Sequence, residues 1–321
     1  MREIAFIKQN KSKWLDFEKQ LNNKADRNSD ELANSYIQLL NDLAFSQTYY
    51  PKSKTTVYLN YLVSQIYIKI YKTRRVEGNK WKSFFLTEVP LLVYRNKTKV
   101  IFAFLMFLFF TVLGVISAAK DMTFVRLVLG DEYVNMTLEN IKNGDPMAVY
   151  ETGDSMTSFI GITMNNIWVA ARAFIYGVTL GIMTFYIALQ NAVMLGSFQY
   201  FFYEQGVFQE SLRGIWLHGA MEIFSIVISV AAGFILASSI LFPRTYSRMY
   251  SFKCGVQESL KIFVSVIPFF VFAGFIEGFI TRHTDTMPLW LNLAIIFITL
   301  SFISFYYLIY PFIVVKKHSY V

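Results

Sequence analysis

The stretch Arg213-Gly-Ile-Trp-Leu-His218-Gly-Ala-Met-Glu222-Ile-Phe-Ser225-Ile-Val-Ile-Ser229-Val-Ala-Ala232-Gly233 decides the fold of this chain. It is apolar over about 20 residues, the length that crosses a bilayer. Yet it carries a His and a Glu inside the span. Four residues apart, the two stack on one face of a helix. Steps of three and four continue that face through Ser225, Ser229 and Ala232 or Gly233. The other faces hold Leu217, Met221, Ile223, Phe224, Ile226, Val227 and Ile228. The pattern predicts a membrane helix that shows lipid its apolar sides and turns a narrow polar stripe inward. Ionisable residues in a span are costly and face a bundle interior or a wet cavity. The stripe is therefore the primary candidate site.

The rest of the chain fits that frame. It has 321 residues, 55% of them hydrophobic, and a mean hydropathy of +0.39, values of a polytopic membrane protein whose first partner is the lipid bilayer. The net charge of +8 does not indicate nucleic acid, because the basic residues cluster beside apolar spans where the positive-inside rule accounts for them. A single cysteine, Cys254, excludes an internal disulfide and a CxxC metal cluster. The first residues are polar and mixed in charge, without the apolar core of a signal peptide.

Residues 1–73 read as a cytoplasmic helical domain of three amphipathic helices: Trp14, Leu15, Phe17 and Leu21; Leu32, Tyr36, Leu39, Leu40 and Leu43; then, after Pro51, Leu59, Leu62, Ile66 and Ile70. Residues 74–99 interleave Arg74, Arg75, Lys80, Lys82, Arg95, Lys97 and Lys99 with Trp81, Phe84, Phe85 and Tyr94. That is the composition of an interfacial helix on an anionic leaflet, and equally of a positive collar that orients the next span.

The transmembrane domain, 100–321, opens with a span at 100–119. Residues 120–164 form a loop rich in Asp and Glu, helical over 124–143, and expected outside. Arg244, Arg248, Lys253, Lys316 and Lys317 hold the later loop and the C-terminus inside. The organising helix must then run inward, so the apolar chain between Asn165 and Tyr203 has to cross twice. Helices over about 166–183 and 185–204, joined by a tight turn, satisfy this; a re-entrant hairpin is the alternative. Further spans at 260–280 and 289–314 bring the total to about six, in an all-α bundle with both termini cytoplasmic.

Gly177 with Gly181, and Gly274 with Gly278, are GxxxG pairs that permit close helix approach; Gly219 is a further small position beside His218. Asn165, Asn166, Arg172, His218, Glu222 and Glu277 all fall, on this topology, within about 15 Å of the external surface. A structural reading has Arg172 paired with Glu222 or Glu277, locking helices together. A functional reading has the group lining an outward polar cavity for an ion, a lipid headgroup or a partner. His218 and Glu222 alone could supply two zinc ligands, but no HExxH motif or second deep His supports a metal or catalytic site, and no cofactor is expected.

At these residues the chain resembles the stage II sporulation protein M family of bacterial integral membrane proteins. The matching pieces are Asn165-Asn166-Ile-x-Val-Ala, Phe174-x-x-Gly177-x-x-x-Gly181-x-x-Thr184, Gln190-Asn191 with Gly196, His218-Gly219-x-x-Glu222, and Ala273-Gly274-x-x-Glu277-Gly278-Phe279. Asn10-x-x-x-Trp14 and Tyr58-Leu59-Asn60 are similar to the family's cytoplasmic segment. The chain departs from the family at Asn191-Ala192, where Asn-Gly is common, and at Pro243-Arg244, where Pro-Gly is. The resemblance implies a protein of the bacterial inner membrane and cell envelope, and a non-enzymatic scaffold like the sporulation engulfment component that holds peptidoglycan-remodelling partners. It supplies no reaction. A transporter or lipid-translocating protein using the polar cavity is the alternative, and a homo-oligomer is compatible with either.

Overall fold

A computed structural model describes residues 2–22, 29–72, 79–146, 148, 154–284 and 286–318. All regular structure among them is helical, and the chain divides into two units, Met1–Asn79 and Lys80–Val321.

The first unit contains α1 (Glu3–Asn22), α2 (Ser29–Tyr49) and α3 (Lys54–Lys72). Phe6, Trp14 and Phe17 from α1 share a core with Leu39 and Leu43 from α2 and Leu59, Leu62 and Ile66 from α3. Trp14 keeps its indole N–H satisfied by donating to Asp42 Oδ2 at 2.9 Å. Leu15 and Leu40 point outward, so the apolar stripes are narrower than periodicity alone predicts. Arg74, Arg75, and the side chains of Leu21, Leu32 and Ile70, lie outside the described residues.

The second unit begins with α4 (Lys80–Ser83), a π-helical turn (Phe84–Glu88) and α5 (Val89–Arg95). The wide turn frees carbonyl groups, and tyrosine hydroxyls from the far end of the chain take them up. Tyr306 donates to the Phe85 carbonyl at 2.8 Å and Tyr310 to that of Leu86 at 3.0 Å. Arg95 and Asn96 both reach Glu258, and Lys261 Nζ lies 2.8 Å from Glu88. The segment is thus tied to α12 by ion pairs of both senses, Arg95 to Glu258 and Glu88 to Lys261.

Then follow α6 (Lys97–Lys120), α7 (Met122–Leu129), α8 (Asp131–Lys142), α9 (Ser155–Ile175), α10 (Ile182–Glu204), α11 (Phe208–Leu241), α12 (Arg248–Phe275) with a π turn (Ile276–Ile280) and a 3-10 turn (Thr281–His283), and α13 (Leu289–Ser304), continued by a π turn (Phe305–Ile309) into α14 (Tyr310–His318). Among the described residues four stretches are long and apolar enough to cross a membrane: Lys97–Lys120, Phe208–Leu241, Arg248–His283 and Leu289–Lys317. The loop expected over 120–164 is shorter than the charge pattern implied. Gly130, at φ +87°, breaks it into two short helices, and α9 begins at Ser155, about ten residues before its expected start.

The organising helix, α11, differs from its expected role in one respect. It does not present its greasy sides to lipid. It packs against α6, α9, α10, α12 and α13, and Leu217, Met221, Val227 and Ile228 are as buried as Ser225 and Ser229. A helix hydrophobic all round is what the centre of a membrane bundle requires.

Close approach at glycines explains how the helices pack on α11 and on one another. A Cβ on Gly177 would collide with the Gly233 carbonyl of α11, one on Gly196 of α10 with the Thr111 carbonyl of α6, and one on Gly274 with the Thr163 hydroxyl of α9. Gly278 faces the Ser155 carbonyl, where a Cβ would come to 2.9 Å. Gly219 behaves otherwise. Its only neighbour within 4 Å of a built Cβ is Ile215, one turn back on its own helix, so it is not a helix-packing position.

Helices α9 and α10 form a hairpin whose tip is a 3-10 turn, Tyr176–Thr179, followed by Leu180 and Gly181 with φ of +59° and +86°. Gly181 lies against Ala237 and Phe234 of α11, its built Cβ 3.2 Å from the Ala237 Cβ. The tip comes about five residues earlier than the sequence suggested, and Thr184 sits inside α10, donating back to the Ala173 carbonyl at 2.8 Å.

Candidate functional site

Facing α11, the hairpin leaves a cavity of 690 Å³. Asn165 and Asn166 enter it from α9, His218, Gly219 and Glu222 from α11, and Glu277 from the π turn that ends α12. Val128 and Leu129 of α7 and Tyr133 of α8 also line it. Apart from Asn191, its remaining walls are apolar, among them Phe107, Leu195 and Phe198. Gly219 therefore serves to leave volume open beside His218.

Each polar group has a local cause for its position. His218 and Glu222 share a face of α11 by their spacing of four. The π turn Ile276–Ile280 widens the helix at Glu277, and such turns recur at functional sites. Gly274 and Gly278 then meet α9 while Glu277 reaches α11, with its Oε1 3.6 Å from His218 Nε2. His218 Nδ1 lies 3.2 Å from Thr281 Oγ1, and Thr281 in turn donates to the Ile276 carbonyl at 3.3 Å. Asn166 Nδ2 donates to Glu222 Oε1 at 2.6 Å. One donor atom each from His218, Glu222 and Glu277 lies within 4.8 Å of the others.

Arg172 departs from the expected arrangement. It forms no ion pair with Glu222 or Glu277, and its Nε is buried without a hydrogen-bond partner. The early start of α9 is the reason. Asn166, not Arg172, is level with Glu222. Six further residues carry Arg172 about 9 Å along the helix and turn it by about 240°, toward α10. There it lines a second cavity of 620 Å³ with Tyr186 and Gln190. The two cavities share Val128, Val169, Asn191 and Met194, so the cation adjoins the carboxylates without touching them.

Thr281 was overlooked in the sequence, although it lies four residues after Glu277, on the same face of a helix. Arg213 was overlooked too. It caps the turn after α12, its Nη2 donating to the carbonyls of Thr284 at 3.2 Å and Met287 at 3.0 Å.

The fold and site together define a helical integral membrane protein with an ionisable cluster walled into a cavity beside its central helix. The family model of Stage II sporulation protein M matches residues 103–282, more than half of the chain and every residue of that cluster. The chain belongs to the stage II sporulation protein M family. Residues 4–72 match a second model, a domain of unknown function (DUF8413). No curated protein and no solved structure matches the chain.

Proposed function

We propose that the chain is an integral protein of the bacterial inner membrane, crossing six times with both termini cytoplasmic, and that its cavity holds an amphipathic ligand with a polar head. Two features support the crossings. The basic residues flanking the spans favour this orientation. The α9–α10 hairpin also has the reach: its base at Ser155 adjoins Gly278 and its tip at Gly177–Gly181 adjoins Gly233 and Ala237, and the 21 residues of α9 span about 31 Å, close to the thickness of the hydrocarbon core.

The observation that carries the ligand is the adjoining pair of cavities. Their largely apolar walls carry carboxylates in one and in the other the Arg172 guanidinium, whose Nε has no hydrogen-bond partner among the described residues. An isolated charge at membrane depth costs about 2.5–3.5 kcal/mol, and a bound anionic headgroup at Arg172 offsets that cost. Purified protein should retain a lipid-type molecule on native mass spectrometry. Gly219→Leu fills the cavity without meeting backbone, and should release it. Wild-type protein carrying no such molecule, or an unchanged complement in Gly219→Leu, ends this reading.

Membership of the family favours a second reading, a non-enzymatic scaffold that recruits peptidoglycan-remodelling partners in the cell envelope. On that reading Gly219→Leu leaves partner capture intact, and truncation of α7 and α8 abolishes it.

A further inference from the structure

We infer that His218, Glu222 and Glu277 bind a divalent first-row transition ion of the zinc or manganese class. The inference is independent of both functional readings, because it rests on the geometry of three side chains.

The donor atoms are spaced for an ion. His218 Nε2 and Glu277 Oε1 stand 3.6 Å apart, beyond hydrogen-bond length. Two ligands about 2.0–2.1 Å from a tetrahedral zinc lie roughly 3.3–3.5 Å from each other. All three groups offer a donor within 4.8 Å, so a contraction of roughly 1.5 Å at most closes the set. Glu277 Oε2 is buried and has no hydrogen-bond partner, which leaves that carboxylate a second coordinating oxygen.

The surroundings hold the ligands in the form an ion needs. The Thr281 hydroxyl donates to the Ile276 carbonyl, so toward His218 it accepts, and Nδ1 carries the proton. Nε2 is then a lone pair aimed at a carboxylate oxygen. Two lone pairs facing one another repel unless a cation or a proton lies between them. Asn166 orients Glu222 by donating to it. A metal-binding His whose other nitrogen donates to an oxygen, and a carboxylate held by its own hydrogen bond, are the usual outer support of such a site.

Charge supplies the third argument. Among the described residues neither carboxylate has a Lys or Arg partner. Two carboxylates, a neutral imidazole and one divalent ion make a neutral group, which membrane depth demands. One nitrogen and two or three oxygens suit zinc or manganese better than calcium, which takes six to eight oxygens. The 690 Å³ cavity leaves the remaining coordination positions open to water or ligand.

The test uses full-length protein purified in detergent on a tag without histidines, stripped with chelator and dialysed against Zn²⁺. One zinc per chain should remain after gel filtration. Glu277→Gln should lose it, Asn166→Ala should weaken retention by about 10–100-fold, and His283→Ala, an exposed histidine, should leave it unchanged. Mn²⁺ in place of Zn²⁺ should show nitrogen coupling from one imidazole by pulsed electron paramagnetic resonance, a reading that stands if Glu277→Gln fails to fold. Absence of a retained ion in wild type, retention equal in Glu277→Gln, or manganese without nitrogen coupling overturns the inference; a proton on each carboxylate then neutralises the pair. Lipid retention is scored separately, so either proposal can fail alone.

Discussion

Asn166 Nδ2 stands 2.6 Å from Glu222 Oε1, and this contact sets the register of α9 on the central helix. It joins an amide on one helix to a carboxylate on another where water is scarce. Asn166→Ala leaves that oxygen without its donor, and should lower stability by about 1–3 kcal/mol. Asn166→Asp, which sets a third carboxylate in the cluster, should be worse. Thermal unfolding in detergent orders the two variants; Asn166→Asp unfolding at or above the wild-type temperature would refute the assignment.

The two kinds of glycine should respond oppositely. Gly177→Ala drives a methyl into the Gly233 carbonyl and should cost about 1–3 kcal/mol, as overpacking does. Gly219→Ala meets only Ile215 at 3.7 Å and should be neutral, or gain slightly from the better helix propensity of Ala. Unfolding temperatures of the pair, measured side by side, check this. Equal losses would mean that Gly219 is a contact position after all.

Cysteine scanning on a Cys254→Ser background decides the crossings. Asn143→Cys and Thr286→Cys, both exposed, should react with an impermeant maleimide from outside. Ser247→Cys should react only after permeabilisation. Thr179→Cys, exposed at the hairpin tip, distinguishes a double crossing from a re-entrant loop: labelling only from inside fits the first, and protection from both sides fits the second.

In the first unit, Glu3 accepts hydrogen bonds from the hydroxyls of Ser53 and Thr55, and the bond from Ser53, with that from Thr55, holds its carboxyl below the ordinary value. A carboxylate depressed on folding contributes stability above its unfolded pKa and loses it as pH falls through the folded one. Wild type and Glu3→Gln should therefore differ near neutral pH and converge in acid. A gap that widens as pH falls would contradict the assignment.

Four of the helices were legible in the sequence as membrane spans because length and apolarity suffice to announce one. So was the ionisable cluster, since charge inside such a span has to be explained. Facing was less legible. Lipid is as apolar as leucine, so Leu217, Val227 and Ile228 look alike whether they touch lipid or protein; only the neighbours identify α11 as central. Arg172 was misplaced for a related reason. Its depth was counted from Asn165, but Ser155, Thr157 and Ser158 belong to α9 despite their polarity, and a start ten residues early moves a side chain by nearly three turns. The π turn at Glu277 has no sequence mark, because it is a matter of backbone hydrogen bonding and not of residue type.

The central place of α11 also bears on how the protein is made. His218 is 63 residues ahead of the Thr281 that later orients it. At about 5–20 residues per second, the ribosome needs roughly 3–13 s to deliver that partner. On the six-crossing proposal, the bilayer during that interval receives a helix bearing an imidazole and a carboxyl, with Asn166 of the earlier-made α9 as the donor at hand for Glu222. On that proposal the α9–α10 hairpin supplies a partner to the central helix before it becomes a wall of the cavity.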